Sequence, residues 1–141
     1  MEKKVTNQEI AEVFSEIADI LDLKNDNVFK IRAYRRAAQL IEGFEKPLSE
    51  VPDLESLPGI GKELAEKIRT LLRGEPLPTL LKLRKEIEPG LLHLLKIRGM
   101  GPKRIRTLNE KLGVKDLPSF KKAIEGEEIL ELPGFGEKLV E

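Results

Sequence analysis

Residues 57–68 read LPGIGKELAEKI. Gly59 and Gly61 bracket one apolar residue, and a helical pattern follows at once. Such a turn leaves backbone N–H groups facing outward with the positive end of a helix dipole behind them, which suits an anion. A dinucleotide fingerprint needs a preceding strand and a third glycine, but Leu64 holds the third position after Gly61 and the context is helical. A nucleoside-triphosphate loop needs Ser or Thr after Gly61-Lys62, where Glu63 stands. The plain reading of a single copy is a connection between two helices that binds nothing.

The stretch is not single. LESLPGIGKELAEKI (54–68) aligns with LLKIRGMGPKRIRTL (94–108), so that Leu57 matches Ile97, and Gly59-Ile60-Gly61 matches Gly99-Met100-Gly101. A third copy begins at Ile129, with Gly134-Phe135-Gly136 in the same places. The residue between the glycines is apolar each time (Ile60, Met100, Phe135), which predicts an inward peg between two helices. Both glycines are expected where a Cβ would clash or where φ is positive. Recurrence of the same peg favours a backbone-binding hairpin over a bare connection.

The rest of the chain is helical in period. Thr6 and Glu9 have capping-box spacing ahead of a stripe of Ile10, Ala11, Phe14, Ile17, Ala18 and Leu21. Asn25, Asp26 and Asn27 stop that helix and cap a second over 28–41, with Val28, Ile31, Ala37, Ala38 and Ile41 as its expected core face. Tyr34 and Phe29 are expected in the core rather than as stacking platforms. Further helices are predicted after Gly61, near 80–87, at 91–97, from Pro102 to Gly113, and at 118–125 and 127–132, with Pro89-Gly90 as a turn. No stretch alternates like a strand. The expected fold is all-α: a small helical domain over 1–78, then a helical segment over 79–141, with two complete hairpins and a truncated third.

Composition excludes several classes. There is no cysteine among the 141 residues, and His93 is the only histidine, so thiolate or paired-histidine metal sites are absent. No run approaches the length of a membrane span, and a cytoplasmic monomer is expected. Lys plus Arg and Asp plus Glu both number 25, yet the charges are segregated. Residues 24–36 carry five cations against Asp26, and residues 96–111 carry six against Glu110, whereas 1–22 and 125–141 are acidic. The basic run around the second hairpin points to a nucleic-acid backbone.

The repeats closely resemble the helix-hairpin-helix motif. That resemblance implies DNA binding through phosphates without base readout, at Gly59, Gly61 and Lys62 and at Gly99, Gly101, Lys103 and Arg104. It also implies a monovalent cation, Na+ or K+, on backbone carbonyls of Glu55, Leu57 and Ile60, and of Leu95, Ile97 and Met100.

NDNVFKIRAYRRAAQLIE (25–42) followed by the first hairpin resembles the amino-terminal region of family X DNA polymerases, bacterial and archaeal members above all. The resemblance covers essentially the whole chain. It implies a lyase-like domain and a second hairpin segment that together grip gapped or 5′-phosphorylated DNA in repair. The register from Tyr34 to Gly59 carries the family's Schiff-base lysine onto Lys67, with Lys30 and Arg35 as expected neighbours and further DNA contacts, and Tyr34 as a packing or proton-transfer partner. The sequence departs from the animal members at Glu55 and Glu63, which replace phosphate-binding lysines, and at Phe29, which replaces a histidine. A carboxylate at Glu63, one turn before Lys67, opposes a lowered lysine pKa. Only Glu137 to Glu141 follow Gly136, and no Asp-x-Asp pair is present. The resemblance thus implies a piece of a longer protein whose Mg2+-dependent polymerase centre lies elsewhere. A non-catalytic hairpin module of another DNA-processing protein, and a helical protein-interaction domain, are the alternative readings.

Overall fold

The computed structural model describes residues 5–97 and 100–126. Among them are seven α-helices and no strand, in agreement with the all-α expectation. The first helix, α1 (Asn7–Leu23), starts where the Thr6 hydroxyl oxygen accepts the Glu9 N–H at 3.1 Å. Its predicted stripe is buried, together with Ile20. Asn25 ends it with φ +57°, and the Asn25 and Asp26 N–H groups close back onto the carbonyls of Asp22 and Leu21, both at 2.9 Å. Asn27 then caps α2 (Val28–Glu42), its side-chain oxygen accepting from the Phe29 N–H at 2.8 Å and the Lys30 N–H at 3.4 Å.

The buried face of α2 is Tyr34, Ala37, Ala38 and Ile41. This corrects the expected face in its first turn. Val28 is 53% exposed and Phe29 is 78% exposed. Counting back from Ile41 at 3.6 residues per turn puts Val28 roughly 140° off the buried stripe, so the start of α2 presents these side chains to solvent.

Two 3-10 turns, Leu48–Glu50 and Leu54–Ser56, carry the chain to α3 (Lys62–Leu72). Gly74, at φ +78°, stops α3, with the Glu75 N–H on the Thr70 carbonyl at 3.3 Å and the Gly74 N–H on the Leu71 carbonyl at 2.9 Å. Then follow α4 (Pro78–Glu86), α5 (Pro89–Leu94), α6 (Pro102–Leu112) and α7 (Leu117–Glu125). Pro89 and Gly90 are the first turn of α5 rather than a separate turn. Proline is tolerated there because its missing N–H has no helical partner in any case.

Apolar burial forms two clusters. The first joins α1 and α2 with Leu48, Leu54, Ile60, Ala65 and Ile68, and takes in Leu77, Leu80 and Leu83. The second gathers Leu94, Met100, Ile105, Leu108, Val114, Phe120 and Ala123. The apolar side of α4 therefore packs with the first cluster, although the sequence reading grouped 79–86 with the second segment. α1 touches both halves. It packs along α2, α4 and α6, and Leu23 at its end packs against the second cluster.

Candidate functional site

The two described hairpins share one hydrogen-bond pattern. In the first, the Leu57 N–H bonds to Leu54 O at 3.2 Å, Ile60 N–H to Leu57 O at 3.1 Å, and Ala65 N–H to Gly61 O at 2.9 Å. In the second, Ile97 N–H bonds to Leu94 O at 3.1 Å, Met100 N–H to Ile97 O at 3.0 Å, and Ile105 N–H to Gly101 O at 3.1 Å. Each bond in one hairpin has its counterpart forty positions along the chain. The pegs point inward as the sequence predicts. Ile60 is 3% exposed in the first cluster and Met100 is 4% exposed in the second. The third copy lies outside the described residues, as does Gly99.

The glycines divide into two kinds. Gly59 has φ +82°, a conformation L-residues rarely adopt. Gly61 and Gly101 have φ −84° and −96° with extended ψ, open to any residue. A Cβ built on either would meet nothing within 4 Å. Neither steric expectation therefore holds at these two positions. What their hydrogens do is keep bare the start of α3 and α6. No side chain caps either helix, so the first-turn N–H groups, which in α6 begin at Lys103 because Pro102 has none, lack an intrahelical partner and have the helix dipole behind them. That arrangement can hold an anion that approaches the backbone closely.

The surrounding charges differ between the hairpins. Lys62 and Glu63 both stand exposed in the first turn of α3. Glu55, before the hairpin, is 3.9 Å from the Arg69 guanidinium. In α6 the first turn holds no acid, and Lys103 and Arg104 are exposed. Arg106, from the same basic run, turns inward to Asp22 on α1, 3.3 Å from its carboxylate, and also donates to the Asp22 carbonyl. Among the described residues, the first turn of α6 thus holds cations and no acid, where that of α3 sets Lys62 beside Glu63.

Lys67 is half-buried on α3 and lines a groove of about 520 Å³ with Lys62, Glu63, Glu66, Thr70, Leu77, Pro78 and Thr79. Neither Glu63 nor any other described carboxylate lies within ion-pair distance of it. The expected neighbours do not line this groove. Arg35 faces α1, where Asp19 and Asp22, one turn apart, hold it at 3.0 and 3.4 Å. Lys30 is exposed on α2. Tyr34 sits in the core, edge-on to Phe14 with ring centres 5.7 Å apart. Burial pushes the Tyr34 phenol above its usual pKa, and the charge of Glu63 adds to the rise. Glu63 is therefore the group on α3 whose field reaches Tyr34.

Residues 5–76, more than half of the chain, match the helix-hairpin-helix domain family. The chain belongs to that family. Residues 91–141 of this helix-hairpin-helix protein also match the SAM-like helix-hairpin-helix tandem. The chain is 40% identical over 131 residues to the DNA polymerase/3′-5′ exonuclease PolX of Bacillus subtilis (strain 168). The match covers 93% of this chain and 23% of that protein, and it corresponds to the amino-terminal part of a family X polymerase. The first family match ends at residue 76, just before α4, and the second begins inside α5, so α4 belongs to neither.

Sequence reasoning missed two features of this region. Phe29 is exposed, a position legible from the α2 stripe had it been counted back from Ile41. The Asp22–Arg106 contact spans 84 positions, and no local pattern announces it.

Proposed function

We propose that this chain is a DNA-binding unit that grips gapped or 5′-phosphorylated DNA through backbone phosphates, within a family X polymerase acting in repair. The observation that carries this reading is the pair of hydrogen-bond-matched hairpins whose second glycines, Gly61 and Gly101, are not required by the fold. Each leaves uncapped helical N–H groups open to a phosphate oxygen, with Lys62 or Lys103 beside them. The carbonyls of Leu57 and Ile97 each accept one N–H and keep a second lone pair. With those of Glu55, Ile60, Leu95 and Met100 they are the proposed ligands of Na+ or K+, which would lend further positive charge beside the phosphate. The Mg2+ of polymerisation belongs to the catalytic domain of such a polymerase rather than to these helices. Fluorescence anisotropy against gapped and intact duplexes across a salt series tests the reading. Steeply salt-dependent binding with a preference for the gap is expected, and salt-insensitive or absent binding would sink it.

Lys67 supports a deoxyribose-phosphate lyase activity in addition. It stands in a groove without a bonded carboxylate, so its amine has access to a sugar aldehyde. The Nζ lone pair would attack C1′, and loss of water would give an imine. Removal of a C2′ proton would break the C3′–O bond and release the 5′-phosphorylated strand, after which hydrolysis of the imine would restore the lysine. Borohydride trapping on abasic-site DNA is expected to give an adduct that Lys67→Ala abolishes. Equal trapping in the variant would remove Lys67 from the reaction.

A further inference from the structure

Asp22 breaks a local rule. It lies in the last turn of α1, the negative end of the helix dipole, where a carboxylate is unfavourable and a cation is favoured. α1 supplies no basic residue of its own there. The compensation comes from two other helices. Arg35 of α2 approaches one Asp22 carboxylate oxygen at 3.4 Å, and Arg106 of α6 approaches the other at 3.3 Å. Arg106 also donates to the Asp22 carbonyl, which already accepts the Asn25 N–H at 2.9 Å. Asp19 holds the other arm of Arg35 at 3.0 Å. The Asp22 and Arg106 side chains are only 16% and 25% exposed, so solvent screens this contact less than an open surface pair.

The contact joins the two hairpin units. The peg and α3 of the first hairpin share a core with α1. Arg106 sits on the second hairpin's own helix, one residue after the buried Ile105. Leu23, next to Asp22, packs on the second cluster. We propose that Asp22 and Arg106 are positioning residues that pin the second hairpin to the end of α1 and so set the register in which the two hairpins meet two phosphate tracks at once. The inference rests on the DNA-binding reading above, because register matters only if both hairpins are used together. Two sites on a rigid frame act with high effective concentration, and loosening the frame lowers avidity without removing a DNA contact.

The chain has no cysteine, so spin labels can be placed cleanly at Lys62→Cys and Lys103→Cys, both exposed first-turn positions. Electron–electron double resonance is expected to give one narrow label-to-label distance in that background. Asp22→Asn or Arg106→Gln should broaden it about twofold or more, and Arg106→Lys should restore much of the narrowing. In the unlabelled chain the same two variants should lower the gapped-to-intact affinity ratio about tenfold, while their helical content stays native. The two variants remove the same contact from opposite sides, so either suffices if the other does not fold. An unchanged distance distribution overturns the pin. A broadened distribution with an unchanged affinity ratio overturns its part in recognition. If the native chain binds neither DNA, the DNA reading fails, and the distance distribution alone decides the pin.

Discussion

Single residues separate what the fold needs from what a ligand needs. Gly59 is a fold residue, because its φ of +82° is costly for any side chain. Gly59→Ala should lower unfolding free energy by about 1–2 kcal/mol. Gly61→Ala meets no atom within 4 Å and a permissive φ; the unfolded-state entropy it removes offsets the loss of a glycine N-cap, so stability should change by less than about 1 kcal/mol. Urea unfolding of the two variants side by side checks the contrast, and equal losses would refute it. Gly90 is a third kind. A Cβ there would run into the Lys115 carbonyl and stand 2.6 Å from the Asp116 Cβ, so this glycine allows α5 to lie against the start of α7. Its role was hidden in the sequence, where Pro89-Gly90 reads as a turn. A close approach between segments 25 residues apart leaves no local mark.

At the scale of elements, the helices and hairpins were largely legible. Period, caps and stops are local matters, and the Asn25–Asn27 cluster and Gly74 do what their residue types dictate. The first turn of α2 was not, because Val28 and Phe29 are apolar yet fall off the stripe. The packing of α1 on α2 carries a pH signature. The pKa of the Tyr34 phenol is raised by burial first and by Glu63 second. A raised folded pKa means that the native state holds its proton longer than the unfolded chain. Stability from this group is therefore full below the unfolded value of about 10 and is lost as pH rises through the higher folded value. Thermal unfolding between pH 9 and pH 12 should show a decline that Tyr34→Phe reduces. Parallel declines in both proteins would mean that the phenol is not the cause. At the other end, Asp116 caps α7 and accepts from the Ser119 hydroxyl and backbone N–H, which hold its carboxyl below the usual range. Its contribution is present above that range and lost as the pH falls, so α7 should be a helix that acid loosens.

In the whole molecule, net charge is zero, and the distribution carries the electrostatic information. The sequence showed two basic stretches but could not show that Arg35 and Arg106 are drawn inward by Asp19 and Asp22. Of the basic residues that the sequence suggested for DNA, Lys30, Lys62, Lys103 and Arg104 are exposed, whereas Arg35 ties α2 to α1. Lys103→Ala should accordingly reduce the salt slope of binding by about one unit. The central claim is that two uncapped helix starts, bared by Gly61 and Gly101, hold DNA phosphates. The most direct measurement is the affinity of the Gly61→Val/Gly101→Val double variant for a gapped duplex, with unfolding followed in parallel. Extended backbone at both positions accepts valine, so a folded protein whose affinity falls about a hundredfold or more is expected. A folded double variant that binds as tightly as the native chain would contradict the account.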